Sequence, residues 1–303
     1  NNPKFQIDDI LGNFNSKTIY NNTFRKLAEA FSSNETETKK LQAKIDTAYE
    51  LIAKDKSPIE RPHNDIVKDQ YKLRLFQLQR EHLSNPGNKK TPSAMDFLNI
   101  TIDAALEGDV LSANDLKILQ DLKKEFEVDG EIDNLKIEKS FTKNQKEALK
   151  LLDEVNNSLA PKALFTSATI RGNKIDLLND YSHHVILRDY NPSKEYFQQQ
   201  QDRFVNPSTK AGTLLERTAG AKPISFDPFL SATRGVQETL LDYHMTVPIR
   251  ELQQTLNKLE AKIKENPKSS NEDRMALKAL RASVNEPLET VFQSTFTDHS
   301  STL

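Results

Sequence analysis

The sequence predicts a mainly α-helical protein, a multi-helix bundle with one short protruding β-hairpin at about residues 163–178. Two observations favour helices. Apolar residues recur at the spacing of one helix face in many segments, and only 8 of the 303 residues are glycine. Average glycine usage is roughly 7%, and sheet-rich or nucleotide-binding folds need glycine for tight turns and for close approach to phosphates. The composition therefore disfavours both of these classes.

Apolar spacing and helix-start signals place the helices along the chain. Three pairs of residues match N-cap signatures: Thr91 with Pro92, Ser112 with Asp115, and Thr142 with Gln145. The predicted helices cover 21–31, 35–53, 65–83, 92–107, 113–126, 143–161, 192–204, 236–245, 249–264 and 270–284. This order predicts a helical domain with the hairpin at 1–205, an irregular linker or loop at 206–227, and a C-terminal helical segment at 228–303.

The predicted hairpin, ALFTSATIRGNKIDLL, is the candidate functional element. Its first arm runs up to Thr169, and Gly172 with its neighbours supplies a turn that tolerates positive φ. Ile170 then lies near the tip, where an apolar side chain flanked by Arg171 and Lys174 has the character of a binding anchor with a polar rim. We therefore predict that Thr169, Ile170, Arg171 and Lys174 contact a partner; the alternative is that Ile170 packs back into the core of its own domain.

The composition narrows the function classes further. The formal net charge is −2, which argues against a nucleic-acid-binding protein. Cysteine is absent, so disulfides, a thiolate nucleophile and zinc–thiolate sites are excluded. No apolar run reaches the roughly 20 residues of a membrane-spanning helix, and no signal peptide is recognised. Because the chain does not begin with Met, we expect a processed chain or a fragment.

Residues 125–136, EFEVDGEIDNLK, resemble a calcium-binding loop, with Gly130 at the sharp turn. The last position of such a loop requires a bidentate Glu, and this chain has Lys136, which removes two ligand oxygens and adds a positive charge. A capped junction between two helices is the preferred interpretation.

Two further motifs have superficial matches to enzymes. LFTSATI at 164–170 is similar to the Ser-Ala-Thr motif of superfamily-2 helicases, but the phosphate-binding GxxxxGK[ST] motif is absent. SFDPFLSATRG at 225–235 resembles the Ser-Thr-Ser strand of ADP-ribosyltransferases, which implies Ser231 as the hydroxyl that orients NAD and Arg188 as the upstream arginine. No Glu-x-Glu follows, and a helix N-cap at Ser231 is the alternative.

His183 and His184 form an adjacent pair with no third ligand at metal spacing. Adjacent residues on a strand face opposite sides, so the pair is not predicted to bind one metal ion. No cofactor and no metal are predicted. The sequence favours a non-enzymatic protein over an enzyme.

The chain resembles the N-terminal domain of the Legionella effector RidL. The resemblance depends on the helix ending at Leu159, the segment ALFTSATIRGNKID and apolar Ile170 at its predicted tip. It implies a helical domain whose hairpin inserts into a hydrophobic pocket on the metallophosphoesterase-like subunit of retromer. Cellular ligands of that pocket favour Pro before the apolar tip residue, where this chain has Thr169.

The resemblance further implies a secreted bacterial effector that acts in the host cytoplasm on membrane trafficking, as part of virulence. The partner would be a host protein with an apolar surface pocket. The remaining alternatives are an ADP-ribosyltransferase-like enzyme that uses Arg188 and Ser231 and a helical scaffold within a larger protein. If the chain is not an effector, we expect it in the cytoplasm. The sequence indicates no oligomeric state.

Overall fold

The architecture is taken from a computed structural model of the chain. It describes residues 16–54, 61–87, 92–107, 110–170, 180–185, 187, 222–265, 271, 274, 275, 277 and 278. Helices dominate this part of the chain, which confirms the predicted mainly α class with one short β-hairpin. The elements are α1 (Ser16–Ala53), α2 (His63–Ser84), α3 (Ala94–Leu106), α4 (Ala113–Phe126), β1 (Glu127–Val128), β2 (Glu131–Ile132), α5 (Asn134–Ser140), α6 (Lys143–Phe165), a π-helical turn (Thr166–Ile170) and α7 (Pro228–Glu265).

The described residues belong to two compact units. The first contains those up to Thr36 and from Leu241 onward, and the second contains those from 37 to 187 and from 222 to 240. The division falls within α1 and within α7. The predicted boundaries at 205 and 227 stay a prediction.

Within the first unit, a salt bridge joins α1 to α7. Lys26 Nζ lies 2.8 Å from Glu251 Oε2. Leu27, Met245 and Leu256 are buried there. Their burial supplies the hydrophobic contribution to this unit, because removal of apolar surface from water is the main stabilising term in folding.

In the second unit, α2 is the central helix and packs against α3, α4, α5 and α6. Most of its residues between Asp69 and Glu81 are buried, as expected of a helix in the interior of a bundle and not of an amphipathic surface helix. One continuous core surrounds it. Its largest fully buried apolar side chains are Phe126, Phe226, Ile45, Ile52, Leu73, Leu75, Leu78, Leu98, Leu119 and Leu122.

Two of the three predicted caps are confirmed. The Ser112 side chain accepts from the Asp115 amide at the start of α4, and Thr142 forms a capping box with Gln145 at the start of α6. The cap of α3 is Ser93, which forms a capping box with Asp96, so the predicted start at Thr91 is wrong by two residues. Thr91 itself lies outside the described residues.

Two predicted breaks are absent from the long helices. The segments 21–31 and 35–53 belong to the single helix α1, and 236–245 and 249–264 belong to α7, which continues through Pro248. Proline removes one backbone hydrogen bond from a helix interior, but in α7 the flanking turns maintain the helix. No described helix is long and apolar enough to cross a membrane.

The hairpin lies elsewhere than predicted. Strands β1 and β2 pair antiparallel, Glu127 with Ile132 and Val128 with Glu131. Asp129 and Gly130 form the turn with φ values of 52° and 86°, so both backbones are left-handed, as a two-residue hairpin turn requires.

The junction between α4 and α5 therefore contains this hairpin, and its polar groups make structural contacts. The Lys136 ammonium donates to the Glu125 carbonyl at 2.5 Å. The Asp133 side chain accepts from the amides of Leu135 and Lys136, which caps α5. Since Lys136 turns back onto α4, its positive charge lies within the segment that resembles a calcium loop.

The first arm of the hairpin predicted at 163–178 is helical. Ala163–Phe165 belong to α6, which starts at a capping box and passes Pro161, and residues 166–170 form the π-helical turn. Residues 171–178 lie outside the described residues. The β-like pattern was misleading because Ala and Leu have high helix propensity and the first hydroxyl residues are buried: Thr166 and Ser167.

Candidate functional site

The end of α6 carries the residues that the sequence singles out for partner binding. Phe165, the last residue of the helix, is 47% exposed, while the next two residues, Thr166 and Ser167, are buried. Ala168 is exposed again. The chain continues in a π-helical turn, a rare geometry that occurs frequently at functional sites.

The structure describes two of the four predicted contact residues. Thr169 and Ile170 are its last two residues, and Arg171 and Lys174 lie outside the described residues. The prediction that Ile170 lies at the tip of a β-hairpin is wrong for the arm that precedes it, because this arm is helical. What remains of the prediction is an apolar residue at the end of the π-helical turn, five positions after the exposed Phe165.

Thr166 adds a polar feature to the turn. Its hydroxyl oxygen is buried and has no hydrogen-bond partner among the described residues. A buried polar group that stays unpaired costs about 1–3 kcal/mol, so the turn contains a local defect that the surrounding structure must offset. Unpaired groups of this kind, like other local strain, concentrate at sites where a segment changes conformation or contacts a ligand.

A second candidate is a buried polar cluster that α2 forms with the segment at 182–184. It is called here the Arg74 cluster and contains Arg74, Glu81, Ser182, His183 and His184. Arg74 and Glu81 are fully buried. Arg74 donates from Nη1 to Ser182 Oγ at 2.8 Å and from Nη2 to the His183 carbonyl at 2.9 Å. Burial lowers the pKa of Arg74 to about 10, so the guanidinium remains charged at neutral pH.

Glu81 accepts on the other side of the same segment. Its Oε2 lies 3.2 Å from the Ser182 amide nitrogen and 3.2 Å from His184 Nε2. Burial, with a smaller contribution from the Arg74 charge, lowers the pKa of His184 well below its ordinary value. The imidazole is therefore neutral, and with its proton on Nε2 it donates to the carboxylate of Glu81.

Backbone hydrogen bonds extend this anchoring to a second segment, at 223–226. The Ser225 amide donates to the Val185 carbonyl at 2.8 Å, and the Leu187 amide donates to the Pro223 carbonyl at 3.0 Å. Val185 and Leu187 thus pair locally with another stretch of chain. Most polar groups of the cluster make these anchoring contacts, while Arg74 Nε is buried without a hydrogen-bond partner among the described residues. The cluster therefore has a structural role, since it holds the segment at 182–184 on α2.

Ser231 does not occupy the strand position that the ADP-ribosyltransferase resemblance implies. It lies in the first turn of α7, is buried, and donates from Oγ to the Asp227 carbonyl at 2.9 Å. Nor is it the N-cap, because Asp227 Oδ1 accepts from the amides of Phe229 and Leu230. Burial raises the pKa of the Asp227 carboxyl group. Arg188 lies outside the described residues.

The histidine pair is buried on the segment that α2 anchors. His184 contacts Glu81, and His183 Nε2 lies 3.8 Å from Glu238 Oε2. In the described part of the chain, no three His, Asp or Glu side chains are placed to hold a metal ion.

A third feature is a cleft of about 180 Å³ in the second unit, called here the Lys72 cleft. The Lys72 side chain is 12% exposed, and its ammonium lies 3.9 Å from Asp69 Oδ1 and 5.5 Å from the centre of the Phe141 ring. Burial lowers the pKa of Lys72, against the opposing effect of Asp69. The lining residues are Leu51, Ile52, Arg61, Asp69, Lys72, Thr142, Asn144 and Gln145.

Comparison of the chain with protein-family models, curated proteins and solved structures found no match.

The sequence does not identify Arg74 and Glu81 as buried polar residues of α2. Arg74 and Glu81 lie in the run KLRLFQLQREHL, in which charged residues alternate with apolar ones and resemble an exposed helix face. A charged residue is almost never fully buried unless it is paired, and the partners here come from more than 100 positions later in the chain. No local pattern could have identified them.

Proposed function

We propose that the chain is a non-enzymatic protein-interaction domain, and that the end of α6 with the following residues contacts the partner. The observation that carries the proposal is the exposed Phe165 directly before the π-helical turn. The contact residues remain Thr169, Ile170, Arg171 and Lys174, to which Phe165 is now added. The element is a helix end, and Ile170 is its anchor.

An apolar side chain at the end of a rigid helix is suited to a concave apolar pocket. The helix orders the anchor before binding, which lowers the entropy lost on association. A few buried anchors typically carry most of the binding energy of such an interface. The partner that fits this chemistry is a protein with an apolar surface pocket of the size of one or two side chains.

The sequence resemblance to the effector N-terminal domain motivates a more specific version, although the helix continues past Leu159 to Phe165 and the predicted first hairpin arm is helical. In it, the chain is a secreted bacterial effector in the host cytoplasm, and the pocket lies on the metallophosphoesterase-like subunit of retromer. Occupation of this pocket would displace a natural ligand and alter membrane trafficking. The more general proposal, a protein-binding helix end, does not depend on this partner.

The test measures direct binding of the purified chain to the purified metallophosphoesterase-like subunit of retromer by isothermal titration calorimetry. Phe165→Asp and Ile170→Asp are each expected to weaken binding by about 30-fold or more, which corresponds to about 2 kcal/mol for an anchor residue. Circular dichroism must show unchanged helix content in both variants.

Leu135→Asp is the matched control, because Leu135 is 65% exposed on α5 and far along the chain from the turn. Binding by this variant should equal that of the wild type. Absence of wild-type binding would exclude the retromer subunit as partner. Equal weakening by all three variants would exclude the end of α6 as the contact site.

A further inference from the structure

The Lys72 cleft holds a cation that lacks a hydrogen-bond acceptor among the described residues. The nearest carboxylate oxygen, Asp69 Oδ1, is 3.9 Å from Lys72 Nζ, which is longer than a hydrogen bond. Contact with the Phe141 ring supplies an attractive but weak interaction. An ammonium with three donors is thus placed in a cleft with its donors unused by these neighbours.

Asp69 is shared between two cations: Arg61 binds its Oδ2, and its Oδ1 faces Lys72 at 3.9 Å. Arg61 Nη1 lies 2.7 Å from Asp69 Oδ2 and also donates to the Ile52 carbonyl at 2.9 Å. The charged side chains that line the cleft are therefore two cations and one carboxylate. Their formal sum is one positive charge.

The cleft wall opposite α2 is the start of α6, where Thr142, Asn144 and Gln145 line the space. The N-terminal end of a helix carries partial positive charge and favours anions. The first turn of α6 contains no acidic side chain that would offset this charge. Two independent sources of positive potential, an ammonium and a helix end, therefore meet in one cleft.

We propose that the Lys72 cleft binds a small phosphate group, with Lys72 as the charged donor and the start of α6 as the second wall. Lysine is a frequent phosphate ligand as a compact point charge, and the cleft of about 180 Å³ is large enough for a phosphate group. This site is separate from the proposed partner-binding residues at the other end of α6, and it does not depend on that function.

The experiment titrates the whole chain with inorganic phosphate, and separately with methyl phosphate, at constant ionic strength. Binding is followed by isothermal titration calorimetry and by the shift of the melting temperature. Saturable binding of inorganic phosphate supports the proposal. Stronger binding of methyl phosphate would identify a phosphate ester as the better ligand, and equal or weaker binding would identify the free anion.

Lys72→Met keeps the aliphatic stem and removes the charge. It is expected to weaken phosphate binding by at least about tenfold, the effect of losing one charge-assisted hydrogen bond. Lys72→Arg restores a charged donor and should retain binding within a few-fold. The matched control is Lys68→Met, one helical turn away on α2, where Lys68 Nζ lies 3.6 Å from Glu125 Oε2 outside the cleft.

Three results would overturn the proposal: absence of saturable phosphate binding by the wild type, unchanged binding by Lys72→Met, and equal weakening by Lys68→Met. The last result would show attraction to overall positive charge and not to this cleft. Circular dichroism of each variant separates loss of binding from loss of structure, and the Lys72→Arg variant keeps the test informative if Lys72→Met unfolds.

Discussion

Lys72 and Arg74 are two cations that lie two positions apart on α2, and their surroundings differ sharply. Two positions on an α-helix correspond to a rotation of roughly 200°, so the side chains point to nearly opposite sides of α2. Arg74 is fully buried and donates to Ser182 and to the His183 carbonyl. Lys72 lies in a cleft with its nearest carboxylate oxygen at 3.9 Å.

The comparison distinguishes Arg74, a cation with a structural role, from Lys72, a cation that we propose binds a ligand. The planar guanidinium of Arg74 presents several donors in fixed directions, which suits it to holding a segment of chain in place. The ammonium of Lys72 is a compact charge on a flexible stem, which suits it to an exchangeable anion. The same helix therefore stabilises the fold on one side and offers a charge to solutes on the other.

The largest expected effect is that of Arg74→Met. The substitution keeps similar volume but takes the guanidinium out of the cluster that contains the buried Glu81, and it removes two hydrogen bonds to the segment at 182–183. A buried group that loses its hydrogen-bond partner typically costs about 1–3 kcal/mol, so the two losses together are expected to cost about 2–6 kcal/mol. Urea unfolding monitored by circular dichroism measures the change. A decrease in the free energy of unfolding of less than about 1 kcal/mol would contradict the structural role of Arg74.

The second effect concerns pH. The pKa of His184 is lower in the folded chain than in the unfolded chain, where it is about 6.5. The unfolded state therefore takes up the proton first. The resulting contribution to stability is complete above pH 6.5 and decreases as the pH falls below 6.5, by up to about 1.4 kcal/mol per pH unit.

His184→Gln removes the titrating ring and keeps a donor that can reach Glu81. Its free energy of unfolding should fall less steeply than that of the wild type between pH 7 and pH 5. Other groups titrate in this range in both proteins, so the difference between the two slopes is the quantity to measure. Parallel slopes would show that His184 takes up its proton equally readily in the folded chain.

The smallest expected effect is that of Lys72→Met on stability in phosphate-free buffer. Because the Lys72 ammonium makes only distant contacts with Asp69 and Phe141, its loss should change the free energy of unfolding by less than about 1 kcal/mol. The same urea experiment measures it. A loss as large as that of Arg74→Met would make Lys72 a structural residue and remove the contrast between the two sides of α2.

Local signals in the sequence predict the helices well where caps are present. Ser112 and Thr142 each bind an amide three residues on, a contact that the local residue types specify. Such signals are less reliable for the ends of long helices. The sequence predicts breaks at Pro161 and Pro248, but α6 and α7 continue through them. Each proline removes one backbone hydrogen bond, and the flanking turns maintain the helix.

The predicted partner site shows the same limit. The pattern at 163–170 predicts a strand, whereas the chain there forms the end of a helix and a π-helical turn. Alternation of apolar and hydroxyl residues does not distinguish these geometries when Thr166 and Ser167 are buried. The dipeptide Asp129-Gly130, by contrast, is correctly predicted as a turn because its chemistry suits left-handed backbone.

The sequence by itself determined the helical class, the caps at Ser112 and Thr142 and the Asp129-Gly130 turn, because propensity, capping and backbone geometry act between residues a few positions apart. Only the tertiary structure decided which polar residues of α2 are buried. Arg74 and Glu81 contact residues more than 100 positions away, and Lys72 acquires its cleft from the start of α6. These distant partners decide whether a charged side chain is hydrogen-bonded within the protein or accessible to a ligand, and no local pattern encodes them.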